Sequence, residues 1–130
     1  MPQITASYAG LLIALFILLT LRVFAVRQPS GIMLGTGGNR LLERAVRVHA
    51  NFAEYVPLFL VAIAAAELCG APGWALHAAG MAMLVGRVLH AIGLSQEPDI
   101  VPLRAAGIAL TLLALVIAGV LALGGGLGLW

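Results

Sequence analysis

The sequence predicts an all-α integral membrane protein, a single four-helix bundle of up-down topology. Three observations carry that reading. Of the 130 residues, 62% are hydrophobic and only 9% are charged, where a soluble domain carries about 25% charged residues. The apolar residues fall in long continuous runs, without the alternation that a membrane β-barrel strand requires. At about 20 apolar residues per crossing, the length accommodates four spans with short loops and no separate soluble domain, so residues 1–130 read as one domain.

Span one is expected over residues 4–26, where Leu11 to Leu19 runs uninterrupted. The start, Met1-Pro2-Gln3-Ile4-Thr5, has no basic stretch and no small-residue cleavage site follows, so this segment is expected to be retained. Arg22 and Arg27 close the span, where their long side chains can reach headgroups. The loop from Gln28 to Asn39 is rich in turn formers. Its Gly35, Gly37 and Gly38 have no preceding strand and no following Lys-Ser/Thr, so they read as a connector and not as a phosphate loop. Span two is expected over 40–68, long enough to project a turn or two beyond the hydrocarbon. Pro57 lies inside it and should bend it by removing one backbone hydrogen bond.

The short loop Cys69-Gly70-Ala71-Pro72-Gly73 makes spans two and three an antiparallel hairpin. Span three is expected over 74–94, with Gly80 beside Ala78 and Ala79 suited to close helix packing. The next loop, Ser95 to Asp99, carries the acids Glu97 and Asp99. Span four is expected over 101–123 with Arg104 in its first turn, and the tail Gly124 to Trp130 carries no structural signal.

The 7 basic residues are all arginines, and they gather near loops one and three. The positive-inside rule therefore predicts those loops in the cytoplasm and both termini outside. A pI near 9.3 does not here point to nucleic acid, because there is neither a basic tail nor aromatic-basic interleaving. A single cysteine, Cys69, excludes an internal disulfide and a multi-cysteine metal site. No metal is expected, since His49, His77 and His90 share no site with further ligands. His49 and His77 read as packing residues. No internal repeat suggests an inverted-repeat transporter.

One stretch breaks the hydrophobic logic. Arg44, Arg47, Asn51, Glu54 and Tyr55 are spaced to share one face of span two. An ionisable group at bilayer depth costs roughly 2.5 kcal/mol or more, so this stripe needs a partner. Up-and-down connection brings Arg87 and His90 of span three and Arg104 of span four to the same layer. Two readings follow. In one, the layer is a structural ion-pair network, with Glu54 neutralising Arg47 or Arg87 while Arg44 and Arg104 snorkel. In the other, four arginines against Glu54 form a cationic pocket. Forked guanidinium donors, one amide and one carboxylate suit an amino-acid-like or peptide-like anion.

The pattern Arg47-x-x-x-Asn51-x-x-Glu54-Tyr55-x-Pro57-Leu58-Phe59 resembles the second-helix signature of the MAPEG family, the membrane-associated proteins of eicosanoid and glutathione metabolism. Gly86-Arg87-x-x-His90-Ala-x-Gly93 resembles the bacterial branch, and the likeness spans essentially the whole chain. The resemblance implies a homotrimer with glutathione, a molecule with two carboxylates and one ammonium, bound between protomers on the cytoplasmic side. Arg44, Arg47, Asn51, Glu54, Tyr55, Arg87 and His90 would then be glutathione contacts. Arg104, or else Arg87, would stabilise the thiolate. The third-helix tyrosines of eukaryotic members are replaced here by His90 and Leu94, and His90 could take over one contact or act as a base.

The expected function is thus a membrane glutathione transferase or peroxidase-like enzyme acting on lipophilic electrophiles drawn from the bilayer. A non-catalytic glutathione- or lipid-binding scaffold of the same fold is the alternative, and a small transporter comes third.

Overall fold

The computed structural model describes residues Met1–Trp130. Four helices follow one another: α1 (Gln3–Ser30), α2 (Arg40–Leu68), α3 (Gly73–Ser95) and α4 (Val101–Gly126). Each is long and apolar enough to cross a membrane. The expected spans are all present, and the main difference is that α1 continues through Pro29 to Ser30. It stops at Gly31, whose φ of 66° is open to glycine at little cost, with the Gly31 N–H returning to the Gln28 carbonyl. Asn39 starts α2 as an N-cap, its side-chain oxygen accepting from the Leu42 N–H at 3.0 Å.

Pro57 remains inside a continuous α2 on its exposed side, where it removes one backbone hydrogen bond without ending the helix. With Leu12 and Phe16 of α1 and Phe52, Val56 and Leu60 of α2 it lines an apolar groove of about 220 Å³.

Packing is asymmetric. α2 and α3 each touch every other helix, whereas α1 and α4 lie on opposite flanks and do not meet. Buried Leu12 and Leu19 of α1, Phe52, Phe59 and Ile63 of α2, Leu76 and Met83 of α3 and Ala114 and Ala118 of α4 form one core. The widest interface joins α3 to α4. Small residues make it possible: a Cβ on Gly86 would lie 2.9 Å from the Gly107 carbonyl oxygen, and one on Gly93 would lie 2.5 Å from the Arg104 nitrogen. The helix backbones are thus in direct contact, as close-packed membrane helices require. Gly80 plays the same part toward α1, receiving the ring of Tyr8. The outward faces of the helices present Leu11, Ile17, Leu18, Val61, Leu112 and Val116, a surface suited to hydrocarbon.

The C-terminal tail, without a signal in the sequence, is ordered against the bundle. The Leu129 N–H returns to the Gly124 carbonyl at 3.0 Å, and the Trp130 ring fills the notch that Gly124 leaves.

Candidate functional site

The polar stripe of α2 does not act as a unit. At about 100° per residue, Glu54 and Arg47 fall on one edge of the arc, Arg44 and Tyr55 on the other, and Asn51 between. The fold respects that division. Arg47 and Glu54 are exposed, with side-chain exposures of 59% and 48%, and form a two-pronged contact at 3.3 and 3.5 Å across two turns. Asn51 is buried at 9% and Tyr55 is half-buried, both turned toward α3.

Arg87 is the centre of the layer. It is only 2% exposed and is among the largest fully buried side chains of the protein. One nitrogen, Nη1, donates to the Asn51 side-chain oxygen at 2.7 Å and to the Asn51 carbonyl at 3.3 Å. The guanidinium carbon lies 5.8 Å from the Tyr55 ring centroid, within range of a cation–π contact. Nε and Nη2 have no partner although both are buried. Of the two partners expected for Glu54, Arg47 is the one it meets; the pairing with Arg87 is not made, because Glu54 sits on the far edge of the arc. His90, one turn beyond Arg87, is 3% exposed and packs its backbone against Gly107.

Loop three supplies what the charge count omitted. Asp99 bridges Arg44 of α2 and Arg104 of α4, accepting from each on a separate oxygen. Arg44 also donates to the Leu94 carbonyl at 3.2 Å. Glu97 binds Arg40 at 2.9 Å and lies 3.9 Å from Arg44. The hydrogen bond from Arg44, reinforced by the charges of Arg44 and Arg104, holds the Asp99 carboxyl below the usual carboxylate range. Arg44 and Arg104 therefore do not snorkel freely. Arg40, Arg44, Arg47 and Arg104 each have a carboxylate, and Arg87 has none. An available signal in the sequence was the shortness of loop three, which leaves Glu97 and Asp99 little space except beside those arginines.

The other polar residues serve packing. His49 stacks on Phe16 at 4.7 Å between ring centroids and meets the Thr20 hydroxyl at 3.1 Å. His77 has a partner the sequence did not reveal, the Tyr8 hydroxyl at 3.3 Å. Glu67, at the opposite end of α2, accepts the Ile4 and Thr5 N–H groups at 2.8 and 2.7 Å and so caps α1. No three His, Cys, Asp or Glu side chains converge as a metal cluster.

Four membrane-length helices with an arginine layer at the loop-one and loop-three end define a class of small multi-span membrane proteins. The chain belongs to the MAPEG family, whose model matches residues 5–124. It is also 33% identical, over 91 residues and 70% of each chain, to the inner membrane protein YecN of Escherichia coli K12, and the protein of that name from Escherichia coli O6:H1 matches with the same figures.

Proposed function

We propose that this protein is a membrane-bound glutathione transferase or peroxidase-like enzyme that joins glutathione to lipophilic electrophiles. The observation that carries the reading is Arg87, a buried cation with two unpartnered nitrogens and no carboxylate. An uncompensated buried charge costs several kcal/mol, and a carboxylate of a bound anion would relieve it. Asn51 and Tyr55 border the same guanidinium, and buried His90 lies one turn further along α3. Arg44, Arg47 and Glu54 extend the layer toward the surface.

Arg47 and Glu54 stand on an uncovered face of α2. In a homotrimer that face would meet a second copy, and glutathione would lie between protomers, in contact with Arg44, Arg47, Asn51, Glu54, Tyr55, Arg87 and His90. Relatives in the inner membrane support a multi-pass inner-membrane location, and the arginine bias supports loops one and three on the cytoplasmic side.

In the chemical step a guanidinium beside the sulfur, Arg104 first and Arg87 second, favours the thiolate while the thiol proton passes to solvent. The sulfur electron pair then forms a bond to the electrophilic carbon, and the leaving group departs with its own pair. The second substrate enters from the hydrocarbon.

The engagement of Arg104 by Asp99 favours the second reading, a glutathione- or lipid-binding scaffold without catalysis. Protein reconstituted in lipid nanodiscs separates them. Thiolate absorbance on adding glutathione, together with conjugation of a chlorodinitrobenzene, supports the enzyme. Calorimetric binding of glutathione without either favours the scaffold. No binding, with Arg47→Ala and Asn51→Ala affecting only the stability of the assembly, leaves an ion-pair layer and refutes both glutathione readings.

A further inference from the structure

Arg22, like Arg27 and Arg87, has no carboxylate partner, and it lies on the α1–α3 flank of the bundle. Its partners are neutral: Nη1 donates to the Ser95 hydroxyl, and Nη2 reaches the Ser95 carbonyl at 3.5 Å. The Ser95 hydroxyl in turn donates to the Ala91 carbonyl, so the serine is fixed and presents an acceptor to Arg22. Arg27, by contrast, is used by loop one, donating to the Ile32 and Gly35 carbonyls at 3.0 and 2.9 Å.

The surroundings of Arg22 have two characters. A groove of about 400 Å³ runs between α1 and α3. Leu18, Leu19, Ala91 and Ile92 form its apolar part, and Arg22 and Ser95 its polar end. Depth follows from helix length. The 23 residues of α3 span about 35 Å, slightly more than the ~30 Å hydrocarbon layer. Ser95, the last residue of α3, therefore stands at the headgroup boundary. Arg22 meets it there, while Leu18 and Ile92, exposed on the same groove, point back along the acyl region.

A half-buried cation at headgroup level, above an apolar channel open to the lipid-facing surface, matches an amphiphile with an anionic phosphate head. We propose that this groove binds an anionic phospholipid of the leaflet on the loop-one and loop-three side, its phosphate on Arg22 and one acyl chain along Leu18 and Ile92. The site lies on the α1–α3 flank and does not depend on the glutathione reading. Lipid bound there would also tie α3 to α1, which has no contact with α4.

The test is native mass spectrometry of the full chain released from mixed micelles, with dioleoyl phosphatidylglycerol and dioleoyl phosphatidylcholine at equal concentration. The wild-type protein is expected to retain the phosphatidylglycerol at least fivefold over the phosphatidylcholine. Arg22→Gln should abolish that preference. Arg40→Gln removes a charge from the same membrane face but from an exposed pair with Glu97, and should leave the preference intact. Ile92→Trp, which fills the groove from an exposed position, should lower retention while keeping Arg22. Equal preference in Arg22→Gln and wild type, or equal loss in Arg22→Gln and Arg40→Gln, overturns the proposal. Binding of soluble glycerol phosphate as tightly as phosphatidylglycerol would mark a free-phosphate site and overturn it. So would a change in subunit stoichiometry in Arg22→Gln with lipid retention unchanged, which would make the groove a contact between copies.

Discussion

Exchanging the two partners of the Arg87–Asn51 contact one at a time should have opposite effects on stability. Asn51→Leu removes the only side-chain acceptor of Arg87, leaving the guanidinium with the Asn51 carbonyl at 3.3 Å and two orphan nitrogens. Leaving a buried charged donor without its partner costs about 2–3 kcal/mol. Arg87→Met removes the charge itself. The hydrogen bond to Asn51 is lost, a loss of roughly 1.5–3 kcal/mol, but a desolvation penalty of several kcal/mol disappears with it. The net expectation is a ligand-free protein as stable as wild type or more stable by about 1–2 kcal/mol. Glutathione binding should move the other way in Arg87→Met. Loss of a charge-assisted bond to a ligand carboxylate, about 2–3 kcal/mol, weakens binding roughly 30- to 150-fold. Unfolding midpoints in mixed micelles, with glutathione titrations by calorimetry on the same preparations, measure both quantities. If Arg87→Met is destabilised as much as Asn51→Leu and binds glutathione as wild type does, Arg87 is a structural cation and the argument from its missing partner fails.

Gly107→Ala places a Cβ against the His90 backbone and the Gly86 carbonyl. With backbone on both sides it should cost about 2–3 kcal/mol, whereas Gly119→Ala, with nothing within 4 Å, should be neutral or slightly stabilising in the same unfolding assay. Glu67→Ala removes both acceptors at the start of α1 and should cost about 1–2 kcal/mol, with faster hydrogen exchange confined to the first turn of α1. Asp99 has a depressed carboxyl in the folded protein, so its contribution is present above the unfolded value, about pH 4, and is lost as pH falls through the lower folded value. The stability gap between wild type and Asp99→Asn should be constant near neutral pH and close in acid; a gap that widens below pH 4 would contradict the bridge.

The four spans were legible because continuous apolar runs and glycine- or proline-bearing breaks leave few other arrangements for this chain. So was the layer at one end, since up-down connection fixes which helix ends meet. The partition of the stripe was less accessible. A spacing rule assigns Arg47 and Arg44 to one face, but an arc of about 100° is wide enough to straddle a buried and an exposed environment. Which arginine meets which carboxylate depends on how α2 sits against α3 and on where loop three is held. The ends of that loop are brought together by the close α3–α4 contact at Gly86, Gly93 and Gly107, far from the stripe in sequence. Glu67 and Tyr8 were invisible for a related reason. Each acts across to another helix, on partners more than 60 residues away in the chain.

The notch at Gly124 has an optical consequence. Both tryptophans, Trp74 at the start of α3 and Trp130 against Gly124, stand at the end of the bundle where loop two lies. Thirteen residues of helix, about 20 Å, separate Trp74 from Arg87. Intrinsic emission therefore monitors the membrane boundary opposite the arginine layer. Emission that shifts when Gly124→Ala expels the indole, yet stays constant when an anion occupies the layer, would make this fluorescence a local gauge of the C-terminal closure and a poor titration signal for the ligand.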